Sequence, residues 1–505
     1  MKTVQQAVVW LLNAAIAIYV AVCLYFIAFG KVNTSLLGVK LVLEDLLNPL
    51  GILVFLVILR LVASPRFRKP LIFSAGAGLI SLAMFSLIFL LGEGYIRHFH
   101  KKSVTPYEET YNDKSMDEIH WKGPVPPKDS KRPLIMVQGD SITWGVGVGD
   151  WKLLYPNLLL EKLNKGSAKY DMLTFAKPGM EIDWHGENLA LTAGKLHPEI
   201  IIYQWYINDI EISKLRPPLP SESWKDKPFF NMMAHTSFLY VWLVNRLDSL
   251  LAKAYGTDYH TYLTNRYGEN TKYWQEFLFY FHTWANRAQS SAKRVILFMY
   301  PCVPYAREYP FADINNRIVK LAGPHTYTIA ATYMGHNVGN VISDSSLKFG
   351  DTLMASPKDA QGYLLFGPYL PSPAGESSAT FWLRSRSAID GEVAQIDVAS
   401  GMGQTVHASM MVNKSDFAGE DKWNPFTLKF NLDKFTQDLE FRVYYKGNGF
   451  LYADRVEIPV KYNIEVVDML PHLSGFDTHA TLFDSHPNAK AHAAIADALY
   501  NKIIH

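Results

Sequence analysis

The stretch Leu134-Ile-Met-Val-Gln-Gly-Asp-Ser-Ile-Thr-Trp-Gly-Val-Gly-Val148 decides how the rest of the chain is read. Leu134 to Val137 is an apolar, β-favouring run, Gln138-Gly-Asp-Ser141 ends it, and a glycine-punctuated loop follows. This predicts a buried strand that delivers a serine at its carboxyl end, where parallel α/β sheets place their ligands. A serine hydroxyl is a weak nucleophile until a base removes its proton. Ser141 therefore needs a histidine and donors for an oxyanion from elsewhere in the chain.

Three further blocks answer that need. Lys177-Pro178-Gly179 is a turn after a second predicted strand, Tyr170 to Ala176. Asn208-Asp209 follows a third, Glu199 to Trp205, whose isoleucine run suits burial on both faces. Asp484-Ser485-His486-Pro487-Asn488 precedes a final predicted helix, roughly Ala489 to Ile503. Together with Gly139-Asp140-Ser141, and in this order, these blocks resemble the four blocks of the SGNH (GDSL-type) hydrolases. The resemblance covers roughly Pro133 to Thr352 and Lys461 to His505.

The resemblance implies that Ser141 is the nucleophile and His486 the general base, with Asp484 orienting the imidazole. It implies an oxyanion hole made by the Ser141 amide, Gly179 and Asn208, and no cofactor. Two positions depart from the family pattern. The aspartate usually stands three residues before the histidine, where this chain has Phe483, so a Ser141–His486 dyad held by a backbone carbonyl is the alternative to a triad. Tyr206 stands where glycine is common in Gly-x-Asn-Asp, and Asp209 reads as a brace for that loop. His98, His100, His472, Asp477 and His479 match no standard ligand spacing, so no metal site is expected.

Further strands are predicted at Arg294 to Tyr300 and Asn463 to Met469, and helices at Tyr155 to Leu163, with proline near its start, and Ala312 to Leu321. Trp224 to Ser291 reads as a helical excursion. Strands alternating with helices indicate a doubly wound parallel sheet. Between its last two strands the pattern changes. From about Leu353 to Val460 the period becomes two, with Phe426, Leu428, Phe430 and Leu432 on one face and Leu439, Phe441 and Val443 on another. Short runs such as Ser378 to Arg384 and Val393 to Val398, separated by turns, predict an antiparallel β-sandwich. It looks like a jelly roll of the carbohydrate-binding-module kind. Trp382, Trp423, Tyr444 and Tyr445 are either a stacking platform for sugar rings or ordinary core.

The chain has 505 residues, 49% hydrophobic and 19% charged, with a net charge of +2, so nothing points to nucleic acid. Cys23 and Cys302 are far apart, and a disulfide is not expected. The first ninety or so residues are mostly apolar. Ala7 to Phe29, Leu46 to Val62 and Leu71 to Leu91 are each long enough, as helices, to approach a hydrocarbon core roughly 30 Å thick. The first is too long for a signal-peptide core and lacks a cleavage pattern. Arg60, Arg66, Arg68 and Lys69 form the densest basic loop and would be cytoplasmic, which puts everything after Leu91 outside.

The expected architecture is thus a membrane domain of three transmembrane helices (residues 1–93) and a polar, proline-bearing linker (94–132). The first part of an SGNH-like α/β domain (133–352), a β-sandwich insertion (353–460) and the last α/β part with the histidine (461–505) follow. The expected protein is a multi-pass inner-membrane enzyme with its catalytic domain extracytoplasmic or periplasmic. Its expected partners are the membrane, an acylated glycan substrate and a membrane protein. As a serine esterase or O-acyltransferase it would act on acyl, especially acetyl, groups of a cell-surface or exported polysaccharide. The rival reading is a non-catalytic glycan-binding or assembly subunit with a degenerate hydrolase fold.

Overall fold

The computed structural model describes residues 130–212, 259–302, 309–473, 478–481 and 484–505 without a break, and shorter pieces within 8–127 and 227–251. The chain separates into two compact units, one of residues 1–101 with 217–259, the other of 102–216 with 260–505.

The second unit is built on a parallel sheet. Its strands are β1 (Leu134–Gly139), β2 (Asp171–Ala176), β3 (Ile200–Trp205), β4 (Arg294–Met299) and β5 (Ile464–Asp468). They lie side by side in the order β5-β4-β3-β1-β2, all parallel, and two short antiparallel strands, Ile119–Trp121 and Glu109–Tyr111, extend the β2 edge. Alternate residues of each strand serve different layers. Ile135, Val137, Ile200, Ile202, Ile296 and Phe298 pack with helices α1 (Ser141–Trp144), α2 (Tyr155–Leu163) and, at the end of the chain, Ala489–Ile504. Met136, Leu173, Ile201, Tyr203, Val295 and Leu297 face the other way, against α3 (Ile182–Leu196), α4 (Lys272–Ser291) and α5 (Ala312–Ala322); the chain-terminal helix is α6. Apolar side chains on both faces explain why these strands read as continuous hydrophobic runs.

Gln138 and Gln204 interrupt those runs, and both are buried with partners. Gln138 Nε2 donates to the His185 carbonyl (3.0 Å) and Asn188 Oδ1 (3.1 Å), while its Oε1 accepts from Trp284 Nε1 (3.0 Å). The central strand is thereby tied to α3 and α4, because a buried amide is tolerated only when hydrogen-bonded.

Between α5 and β5 the chain forms two antiparallel sheets. One has the order 340–343, 351–355, 450–461, 375–386, 423–432, with Pro324–Ala330 also pairing with Phe450–Lys461. The other has the order 362–365, 436–445, 392–400, 405–413, with Pro368–Ser372 also on 436–445. Trp423–Leu432 shows the expected alternation, every second residue from Asn424 to Leu432 buried. The core of this sandwich is continuous with the α3–α4 side of the parallel sheet. Asn286 Nδ2 on α4 donates to the Pro371 carbonyl at 2.7 Å.

The expectation of three transmembrane helices in Ala7–Phe29, Leu46–Val62 and Leu71–Leu91 is overturned. Among the described residues no helix is long and apolar enough to cross a membrane. Within these runs, residues 22–29, 46–51, 61–62 and 71–83 lie outside the described residues. Val32–Leu36 and Val39–Leu43 are paired antiparallel strands. Arg60, read as part of a cytoplasmic basic loop, is buried and donates through Nε to Asn13 Oδ1 at 2.8 Å. Glu93 accepts from Ser237 Oγ (2.7 Å) and the Leu239 amide (2.9 Å). Asn13, Arg60 and Glu93, polar groups in or beside these runs, thus find protein partners. The inner-membrane, extracytoplasmic placement and the membrane partnership rested on those spans and fall with them.

Candidate active site

In this strand order β1 and β3 are neighbours while the chain between them runs out to β2, so the direction of winding reverses at β1. The carboxyl ends at such a reversal are where open α/β sheets place their ligands. Ser141 follows β1, Gly179 follows β2, Asn208 follows β3, and His486 lies between β5 and α6.

Local chemistry sets Ser141 at the first position of α1. Asp140, not Ser141, is the cap: its Oδ1 accepts from the Ile142 amide at 2.9 Å. As the first helical residue, Ser141 keeps an amide N–H with no intrahelical partner. The Asp140 amide donates to Gln204 Oε1 (3.0 Å), which also accepts from Thr143 Oγ1 (2.9 Å), and Tyr155 OH lies 2.9 Å from Thr143 Oγ1. Gly139 is required by space, since a Cβ there would lie 2.0 Å from Thr143 Oγ1 and 2.6 Å from Gln204 Oε1. The strand therefore runs directly into the serine turn with no room for a side chain. Sequence reading missed Gln204 and Thr143. The signal was an amide inside the apolar Ile-Ile-Ile-Tyr-Gln-Trp strand.

His486 is delivered from the other side. It lies in the short strand Asp484–Pro487, paired antiparallel with His479–Thr481, immediately before α6. Asn488 caps α6 by accepting from the Ala491 amide (3.0 Å), and its own N–H donates to the Thr478 carbonyl (3.0 Å). The proline after His486 favours extended backbone, and the helix start fixes where that strand ends. The result brings His486 Nε2 to 3.0 Å from Ser141 Oγ, across 345 residues of sequence. That is hydrogen-bonding distance for a base and a nucleophile. The side chain of Asp484, like Phe483 and Asp477, lies outside the described residues.

The two expected oxyanion donors differ in kind. Gly179 is exposed with φ +75°, and a Cβ there would meet open space. Its glycine is thus a demand of backbone conformation rather than of close approach, as at the third position of a turn with Pro178 second. The Met180 amide closes that turn on the Lys177 carbonyl at 3.2 Å. Asn208 sits in the 3-10 turn Ile207–Ile210, and its side chain makes no hydrogen bond among the described residues, Oδ1 being buried. Asp209 braces that turn: its Oδ2 accepts from Tyr203 OH (2.5 Å) and the Tyr206 amide (3.1 Å). Tyr267 OH donates to the Ile207 carbonyl at 3.0 Å.

Two carboxyls behind the pair are strongly perturbed. Burial pushes Asp140 from the ordinary 3.8 up to about 6, opposed by the Ile142 N–H, by the charge of His486 and by Gln204. Burial, then the nearby Asp140, pushes Asp209 well above the usual carboxylate range. Perturbed groups of this kind beside a paired serine and histidine mark functional sites more often than structural ones. Among the described residues no three His, Cys, Asp or Glu side chains gather as a metal site.

The sandwich aromatics do not form one surface. Tyr445 is fully buried and donates to the Gly449 carbonyl at 2.5 Å. Trp382 is covered by the Arg455 guanidinium (4.1 Å) and Trp423 by that of Arg384 (4.8 Å), while Tyr444 lies in the other sheet, edge-on to Tyr363 at 5.2 Å.

No protein-family model matches the chain, and no curated protein matches it. Among solved structures it is similar, over 27% of its length, to a carbohydrate-binding module of Cellvibrio mixtus lichenase 5A in complex with cellotriose. That match has 14% identity, 98% coverage of that chain and a TM-score of 0.22. It is similar over 27% to the C-terminal family 6 module of a Zobellia galactanivorans protein, with 17% identity, all of that chain covered and a TM-score of 0.21. The N-terminal endo-1,4-beta-D-xylanase 10B of Clostridium thermocellum, complexed with xylohexaose, is matched over 28% of each chain, with 13% identity and a TM-score of 0.21. With TM-scores near 0.2, these likenesses add no functional argument.

Proposed function

We propose that the chain is a serine hydrolase or acyltransferase of the SGNH kind, working on O-acyl, especially acetyl, esters of a polysaccharide through an acyl-enzyme. The observation that carries the reading is the 3.0 Å approach of His486 Nε2 to Ser141 Oγ at the switch point of a parallel sheet. In the reaction Ser141 Oγ gives its proton to His486 Nε2 and attacks the acyl carbonyl carbon. The Ser141 amide, Gly179 and Asn208 supply donors for the oxyanion. Collapse of the tetrahedral intermediate expels the sugar oxygen, which takes the proton from His486. Water, or a hydroxyl of an acceptor sugar, then repeats the sequence on the acyl-serine. Asp484 orients the imidazole in this scheme. The acyl-sugar substrate comes from the family resemblance and the accompanying sandwich.

The test is labelling of the full-length chain by a serine-reactive fluorophosphonate, beside Ser141→Ala and His486→Ala. Labelling lost in both variants, with the fold retained by circular dichroism, is expected. Labelling that survives Ser141→Ala refutes the assignment. Release of acetate from acetylated glycan, with and without an acceptor sugar, then separates hydrolysis from transfer.

A further inference from the structure

A cavity of about 170 Å³ lies where the first half of α4 and the end of α5 meet the sandwich strand Pro324–Ala330. It shares no lining residue with the Ser141 site. Two of its walls are polar groups without a protein partner among the described residues. Gln275, only 6% exposed, lines the cavity, and its carboxamide makes no hydrogen bond among the described residues. The indole N–H of Trp274, also 6% exposed, is likewise unpartnered. The faces of that indole are taken by Phe277 (5.4 Å) and Arg317 (5.0 Å), so its edge is what remains to offer. Neither group is sealed inside the protein, so both are open to an occupant of the cavity that can pair with them.

Charge and size narrow the occupant. Glu269 and Lys348 stand at the rim 3.7 Å apart, each more than half exposed, so their charges offset one another. Burial pushes His282 and His325 below the ordinary imidazole range, leaving both neutral lining groups. No unopposed charge is present among the lining residues for an anion or cation. The volume equals that of about half a dozen liquid waters at ~30 Å³ each, well under the roughly 300–1,000 Å³ of drug-sized pockets. We propose that this cavity binds a single neutral sugar residue, its hydroxyls paired with Gln275, Trp274 and Thr328 and its C–H faces against Leu278 and Phe349. Donors and acceptors on a small uncharged ring match what the walls present, which neither a hydrocarbon nor a nucleotide does.

The experiment titrates the full-length chain with D-glucose, D-galactose and N-acetyl-D-glucosamine, followed by calorimetry and tryptophan emission. Saturable binding of at least one sugar in the millimolar range is expected. It should be weakened at least about tenfold by Gln275→Leu, the equivalent of one lost polar contact of ~1.4 kcal/mol. Ser141→Ala should leave it unchanged. Should Gln275→Leu fail to fold by circular dichroism, Thr328→Val reads the same contact set with less disturbance. Absence of saturable binding to all three sugars by the folded chain overturns the proposal. So does binding that is lost in Ser141→Ala but kept in Gln275→Leu or Thr328→Val.

Discussion

Replacing Asp140 by asparagine should make the protein more stable and less reactive at once. Asparagine keeps an oxygen to accept the Ile142 N–H, so the cap survives while the charge is removed. In the native chain burial raises the Asp140 pKa from 3.8 to about 6, equivalent to about 3 kcal/mol at ~1.4 kcal/mol per tenfold change in proton affinity. The folded state holds the proton more tightly than the unfolded chain, so this stabilisation is complete below pH 3.8 and is lost as pH rises to about 6. Above that, the buried carboxylate is a standing cost. Asp140→Asn should therefore gain up to about 3 kcal/mol at pH 8, less about 1–2 kcal/mol for an amide N–H₂ placed where Oδ2 has no partner. It should gain little at pH 4. Asp140 interacts electrostatically with His486, and positive charge develops on that ring as Ser141 gives up its proton, so fluorophosphonate labelling should slow by about tenfold, ~1.4 kcal/mol. Urea unfolding at pH 4, 6 and 8, with labelling rates on the same samples, measures both. A variant whose stability gain is equal at all three pH values, or which labels at the native rate, would refute the reasoning.

Gly139→Ala places a methyl 2.0 Å from Thr143 Oγ1, and should cost about 1–3 kcal/mol and most of the labelling, read by denaturation midpoint and labelling rate. Gly179→Ala meets no atom but imposes a left-handed conformation, so a loss of about 1–2 kcal/mol is expected, with the fold unchanged by circular dichroism. Gln204→Leu orphans the Asp140 N–H and leaves the Thr143 hydroxyl with Tyr155 OH alone, while removing an unpartnered Nε2; a net loss of about 1–3 kcal/mol should appear in urea unfolding. In the sandwich, Asp397→Ala leaves the Arg442 guanidinium, 2.6 Å away and nearly buried, without its carboxylate, and should cost about 3–5 kcal/mol, seen as a lowered melting temperature.

Much of this architecture was legible in the chain. Strands buried on both faces must be apolar throughout, and Leu134, Ile200 and Arg294 each begin one close to the predicted place. The period-two run of Phe426 to Leu432 could only be a half-buried strand. The amino-terminal spans were expected from window composition, which counts apolar residues without fixing the helix that carries them; among the described residues no helix is long and apolar enough to cross a membrane. Asn13 and Arg60, each a blemish in a presumed span, are partners of one another. Gly139 and Gly179 look alike in sequence, yet one answers to space and the other to φ.

By itself the sequence determined the repertoire: a serine ending a strand, a histidine before a proline and a helix, and two patterns of hydrophobic period. Those are local properties, set by backbone sterics and by which side chains must leave water. What only the tertiary structure decided is juxtaposition. Ser141 and His486 meet because β5 returns, after the sandwich strands, to the sheet that holds β1. Gln204 matters because β3 lies beside β1. Contacts between residues hundreds of positions apart depend on strand order, and strand order is settled by the packing of whole layers, which no local stretch encodes.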